Sequence, residues 1–448
     1  MDGDNRTVDL EYGKKAFLRW PGRLLGPAPG LKEMNLACWG LFAALLVTRF
    51  CYPLWIQFKT GVGSFHLLPA DFIYFYGIGR IANEYPLTRL YDYGLQLKTF
   101  NEIYPLHDGA YGPSPYPPFV ALFFSLFARV PFLPAFFLWA CVSLALYIAG
   151  IAAAVKDLFP GERLKVSLIF CFALAFSPFL YGTLANGQIG TLAVCSVGLA
   201  IALERNSKPF SSGLALSVLA YKPTLLLLLI PMLFLTRRFR MLSGFITGAA
   251  LLILAVTACA GMQIWPAYAD FLSYFGRVAG FDGQSVLRLW KYVDFSSFFQ
   301  TVCGGRSRAE LMLSVPVTSV IAAGLAVLLW KSARSGRPAQ SLAWAATLTW
   351  TLLLNVYVPV YDSVLAPIAV VLTLGALREL EWRAPMGWVV FLSVVICAAS
   401  WETDAIAKSH GIQLLSIMLV VLGLGQLYLL RRVIGRGLPQ TVPELPVG

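Results

Sequence analysis

The stretch "YKPTLLLLLIPMLFLTRRFR", Tyr221 to Arg240, is an apolar run with charge at both ends. Lys222 and Pro223 open it, and three arginines, Arg237, Arg238 and Arg240, close it. A run of this kind enters a hydrocarbon core of about 30 Å, and a basic cluster beside it marks the cytoplasmic side. With the apolar residues upstream of Tyr221, residues 211–235 read as one span with Lys222 in its middle. A lysine there is costly. It either has an intramembrane task, such as holding an anionic phosphate, or snorkels to an interface.

The rest of the chain repeats the pattern. Of its 448 residues 58% are hydrophobic and 13% charged, and the mean hydropathy is +0.69; a soluble domain carries roughly 25% charged residues. The fold class expected is an all-α polytopic membrane protein, since a β-barrel would show short alternating segments instead. About twelve spans are expected: 34–56, 116–131, 134–155, 166–184, 189–203, 211–235, 241–260, 311–330, 341–357, 363–378, 386–400 and 411–430. The net charge of +12 forms no patch for nucleic acid. Its basic residues flank spans, at Arg19, Arg23 and Lys32, at 237–240, at 331–337, and at Arg431, Arg432 and Arg436, which places both termini in the cytoplasm. Two basic segments, "KDLFPGERLK" (156–165) and "ERNSK" (204–208), then fall on the outer side against that bias. No cleavable signal is evident.

The organisation expected is a cytoplasmic segment 1–33, a catalytic membrane module 34–260 with an outer loop 57–115, a second outer loop 261–310, C-terminal spans 311–430 and a cytoplasmic tail 431–448. Both loops mix aromatic and charged residues, as amphipathic helices at a membrane surface do. The eight scattered cysteines read as buried inert thiols, and His66, His107 and His410 have no ligand spacing, so no metal is expected. Gly77, Gly79 and Ala82 spell a dinucleotide-like pattern without the strand it needs, so that reading fails, and no P-loop motif is present, so ATP-driven transport is not expected.

In the first loop "LLPADFIYFYGIGRIANEYPLTRLYDY", Leu67 to Tyr93, sets Asp71 in an apolar, aromatic run. A carboxylate there is either a general base with a raised pKa or the N-cap of the following helix. "YGPSPYPPF", 111–119, is either the start of a span or a rigid turn over the membrane. "LANGQIG", 184–190, puts Asn186 and Gln188 at a break in an apolar run, where they bind sugar hydroxyls or neighbouring helices. "NVYVPVYDS", 355–363, places Tyr361 and Asp362 at the outer end of another span.

Taken in order, "DFIYFY…LYD", "YPPF", "NGQ" and "YKPTLLLLLIPMLFLTRRFR" resemble the bacterial integral-membrane glycosyltransferases of family 87, in the GT-C superfamily. The resemblance covers about 67–240 well and the later half more loosely. It implies a GT-C fold in the bacterial inner membrane with its active site facing the periplasm. It also implies a polyprenyl-phosphate sugar donor, commonly mannose and in some relatives arabinofuranose, and a glycolipid or glycan acceptor. Asp71 occupies the place of the catalytic acidic residue, which would deprotonate the acceptor hydroxyl for an inverting attack. Lys222 is the first candidate for the donor phosphate, with Arg288 and Lys291 behind it. Tyr74, Tyr91, Asp92, Tyr116, Asn186, Gln188, Tyr361 and Asp362 are candidates for sugar or acceptor. The family's common histidine near "VPVYDS" is missing here, so no role carries over to one.

Two rivals belong to other classes. A flippase of lipid-linked sugars is expected to show paired repeats with interrupted helices; this chain shows one long early loop and an unlike second half. A polymerase or ligase using diphosphate-linked donors usually places its large outer loop late.

Overall fold

The computed structural model describes residues 30–52, 55–56, 59, 71–105, 111–278 and 288–436. The N-terminal segment to residue 29, parts of both outer loops, the tail from 437 onward, and His66 and His107 lie outside the described residues.

The chain is an all-α polytopic membrane protein. Its helices are α1 (Leu31–Leu46), α2 (Phe72–Glu84), α3 (Tyr93–Ile103), α4 (Pro118–Ser125), α5 (Phe132–Val155), α6 (Arg163–Ala175), α7 (Gly190–Arg205), α8 (Pro209–Leu216) and α9 (Leu229–Leu235). They continue with α10 (Phe239–Ala260), α11 (Ile264–Val278), α12 (Phe295–Val302), α13 (Arg308–Ser332), α14 (Arg337–Leu353), α15 (Ala366–Glu379), α16 (Arg383–His410) and α17 (Leu414–Gly435). Among the described residues seven helices are long and apolar enough to cross a membrane. An eighth crossing forms if α6 and the π-helical turn Pro178–Ala185, bent by 54°, count as one. Pro178 causes the bend, because a proline nitrogen has no proton for the helical ladder.

Burial sorts the bundle. Residues 341–353 of α14 and 366–377 of α15 are buried throughout. By contrast Leu254 of α10, Val320 of α13 and Phe391 of α16 are more than half exposed, as side chains facing lipid are. Three of the cysteines expected to be buried, Cys51, Cys141 and Cys259, are exposed on this apolar surface, and only Cys171 is fully buried.

Two expected spans are corrected. Residues 116–131 do not form a span: α4 has eight residues, about 12 Å of helix, and ends in a 3-10 turn before Pro131. It packs beneath α2, where Gly79 rides so close that an added Cβ would stand 2.5 Å from the Phe124 backbone. Residues 211–235 do not form one span but a hairpin. Lys222 leaves helical geometry at φ −140°, ψ 83°, because the residue before a proline is pushed out of the α region. Each arm is about 20 Å long, short of a full crossing, so the tip stops within the membrane layer. Its two ends return to Glu204: Lys208 follows α7 closely, and Arg238 pairs with the Glu204 carboxylate.

One lost span and one hairpin change the direction of everything between them. Segments 156–165 and 204–208 now share one end of the bundle with 237–240, 331–337 and 378–383. Ion pairs Arg378–Glu162 and Arg238–Glu204 tie that end together. The charge bias that these two segments broke is restored. At the other end, α2, α3, α11 and α12 form a cap, in which the Tyr91 ring lies 5.0 Å from Tyr268 and 5.3 Å from Phe271.

Candidate active site

Asp71 stands at the first turn of α2 but does not cap it: its side chain makes no capping bond. The carboxylate turns away and accepts from Gln188 Nε2 at 2.8 Å. The backbone is held from the same segment, since the Asp71 and Phe72 amides donate to the Asn186 carbonyl at 3.0 and 2.9 Å. The "NGQ" break is what makes this possible. The π-helical turn ends at Asn186, and Gly187 takes φ +74°. A Cβ on Gly187 would meet the Phe72 Cβ at 2.6 Å, so both the conformation and the approach call for glycine. Trp139 Nε1 donates to the Gly187 carbonyl at 3.1 Å and fixes the turn from α5.

Beneath Asp71 lies the hairpin tip. Lys222 pairs with Asp362, which is 3% exposed, and its ammonium sits 5.0 Å from the Tyr361 ring centroid. Gly182 of the π-helical turn backs directly onto Tyr361, where an added Cβ would lie 2.9 Å from the Tyr361 Cβ. Tyr361 and Tyr116 lie close enough for their electrostatics to couple, and the Tyr116 carbonyl accepts from Tyr91 Oη at 2.9 Å.

A strap from the second loop closes the other side. Tyr292 bridges Pro359, and the Val293 amide donates to the Val358 carbonyl at 2.8 Å. Asp294, fully buried, accepts from the Val358 amide at 2.8 Å and from the Ser297 amide and hydroxyl at 2.9 and 3.0 Å. Gln413 Nε2 donates to the Trp290 carbonyl at 2.7 Å. These ties deliver the exposed Lys291 to the rim of the site. Burial pushes the Asp71 carboxyl above the usual carboxylate range, while the Gln188 hydrogen bond and the charges of Lys291 and Lys222 oppose it.

The structure thus brings together Asp71, Gln188, Asn186, Lys222, Tyr361, Asp362, Tyr116 and Lys291. Tyr74 lies one turn along α2 from Asp71, whose charge it feels, and its ring stands edge-on to Phe100 and Tyr111. Tyr91 acts through Tyr116 rather than facing the site. Asp92 is not brought in: it caps α3 through the Leu95 amide at 3.1 Å and pairs with Arg89 at 2.9 Å, which holds its carboxyl below the usual range. Arg288 is exposed and contributes its carbonyl to the Lys291 amide. Sequence reasoning missed two tyrosines and one carboxylate. Tyr221 and Tyr292 both lie close enough to Asp362 for their electrostatics to couple. Asp404 of α16 is close enough to Lys291 and Tyr181 for the same. Asp404 carried a signal in the sequence: it is an acid near the end of a long apolar segment.

The bundle and this cluster define a membrane protein with a carboxylate-and-lysine site at one end of its helices, under a cap of amphipathic helices. The chain belongs to glycosyltransferase family 87: the family model matches residues 115–359, more than half of the 448. No curated protein and no solved structure matches the chain. The matched segment holds Asn186, Gln188, Lys222 and Lys291 but begins after Asp71 and ends just before Tyr361 and Asp362.

Proposed function

We propose that this glycosyltransferase is inverting and moves a sugar, mannose in the first instance, from a polyprenyl-phosphate donor to a glycolipid or polysaccharide acceptor. Asp71 accepts the proton as the acceptor oxygen attacks the anomeric carbon. The bond from that carbon to the phosphate oxygen breaks, and polyprenyl phosphate leaves with the electron pair. The developing charge needs a fixed cation. Lys291 suits that task better than Lys222, because Lys222 is already engaged by the buried Asp362, whereas Lys291 stands exposed at the rim. In this reading the Lys222–Asp362 pair sets the floor of the site and positions Tyr361, whose ring, with Tyr116, faces the sugar. The basic end of the bundle is the cytoplasmic one, so the site opens on the outer face of the bacterial inner membrane. The module boundaries 34–260, 261–310 and 311–430 belong to the same proposal.

The observation that carries the reading is Asp71. A carboxylate at a helix start normally caps the helix; this one forgoes the cap and points into a cluster drawn from five separate segments. The test is transfer by purified protein in lipid, offered radiolabelled polyprenyl-phosphate mannose and then polyprenyl-phosphate arabinofuranose. Label moving from neither donor would overturn the donor class.

A further inference from the structure

We propose that Asp404 is an acceptor-binding residue that takes a neutral, hydroxyl-bearing headgroup and rejects an anionic one. This rests on the reading of Asp71 as the base. Ser400 and Trp401 of α16 seat that helix against the bend before the π-helical turn: Ser400 Oγ accepts from the Ser177 amide at 3.2 Å, and Trp401 Nε1 donates to the Ala175 carbonyl at 2.9 Å. Asp404 lies one turn further along the same face, which carries it level with Tyr181. Tyr181 senses the charges of both Asp71 and Asp404, so both carboxylates lie within electrostatic reach of one tyrosine. Asp404 Oδ1 is buried, and among the described residues nothing donates to it.

A buried acceptor without a donor is costly, and a structural carboxylate would have acquired one. Asn186 Oδ1, Tyr221 Oη and Ser363 Oγ are likewise buried without partners, each on a segment that builds this site. Orphaned oxygens on the segments that build one site suit a polyol, whose hydroxyls supply the missing donors. The base must touch the acceptor hydroxyl, and Asp404 shares both Tyr181 and Lys291 with that base, so it falls to the acceptor. Two carboxylates with Lys291 as their shared cation repel a further carboxylate or phosphate at that position.

The test uses the full chain in lipid nanodiscs, with octyl mannoside as neutral probe and octyl glucuronide as anionic probe. Binding is followed by tryptophan fluorescence and transfer by label from the donor. Wild type is expected to bind octyl mannoside at least tenfold more tightly than octyl glucuronide. Asp404→Ala is expected to lose tenfold or more in octyl mannoside binding and to raise acceptor KM more than it lowers kcat, with donor KM unchanged. Asp404→Asn is expected to narrow the discrimination against octyl glucuronide, and neither variant to lower Tm. Unchanged mannoside binding in Asp404→Ala would overturn the proposal, as would a Tm loss with no change in discrimination. Because binding is read without turnover, Asp404-dependent binding with no transfer in wild type counts against the donor assignment alone.

Discussion

At the residue scale one carboxylate is freed from a local role. Asp71, Asp92 and Asp294 all begin helices; Asp92 and Asp294 cap theirs, while Asp71 is spent on Gln188. Its burial raises the pKa above 3.8. Catalysis needs the ionised form, so kcat/KM is expected to fall as pH drops through a value above that figure. The Gln188 bond favours the ionised form, so Gln188→Ala is expected to move this acid limb to higher pH. A limb unmoved in Gln188→Ala would separate Asp71 from the titration. Lys291→Met is expected to raise donor KM at least tenfold with acceptor KM little altered; the reverse split would remove Lys291 from the phosphate. Composition and spacing had already pointed to Asp71, Lys222 and the "NGQ" break, because charge in an apolar run has few tolerable fates. They left open whether Asp71 was cap or base, and they overvalued Asp92, whose ion pair with Arg89 is a local matter. Tyr292 and Asp404 went unselected because their importance comes from partners distant in the sequence: Pro359 and Asp362 for Tyr292, Lys291 and Tyr181 for Asp404.

At the element scale, short segments place the site. The strap 290–294 is tied through Asp294 to Val358, three residues before Tyr361. Asp294→Ala would strand three buried donors, at about 1–3 kcal/mol each, so unfolding in mild detergent is expected at least about 2 kcal/mol earlier, with donor binding weakened as Lys291 loosens. Full stability in that variant would mean the strap is held elsewhere. The hairpin tip makes a second case. Lys222→Met leaves Asp362 buried and unpaired, a loss of about 3–5 kcal/mol, and adding Asp362→Asn is expected to recover most of it. If the double variant is no more stable than Lys222→Met, the pair is not what holds the tip. Hydropathy could not reveal this hairpin, since an apolar run looks the same whether it crosses or turns back. Pro223 was the available sign, through its effect on Lys222.

At the scale of the whole molecule, fold class was legible from composition alone, but the span count was not: about twelve were expected, and among the described residues seven helices, or eight with the bent pair, are long and apolar enough to cross. The charge misfit of 156–165 and 204–208 was the trace of the two corrected spans: basic segments on the wrong side meant a miscounted crossing. Single cysteines at Asn206 and Glu381, labelled from the cytoplasmic face of sealed vesicles, are expected to react, and one at Gln263 to react only from outside. The reverse pattern would invert the proposed orientation. The claim on which all of this depends is that Asp71 is the base. The measurement is transfer from radiolabelled polyprenyl-phosphate mannose to a membrane-lipid acceptor pool, with wild type and Asp71→Asn side by side in the same lipid and with equal Tm. The account predicts a labelled lipid product with wild type and a rate lower by at least about a hundredfold with Asp71→Asn; turnover by the variant near that of wild type would contradict it.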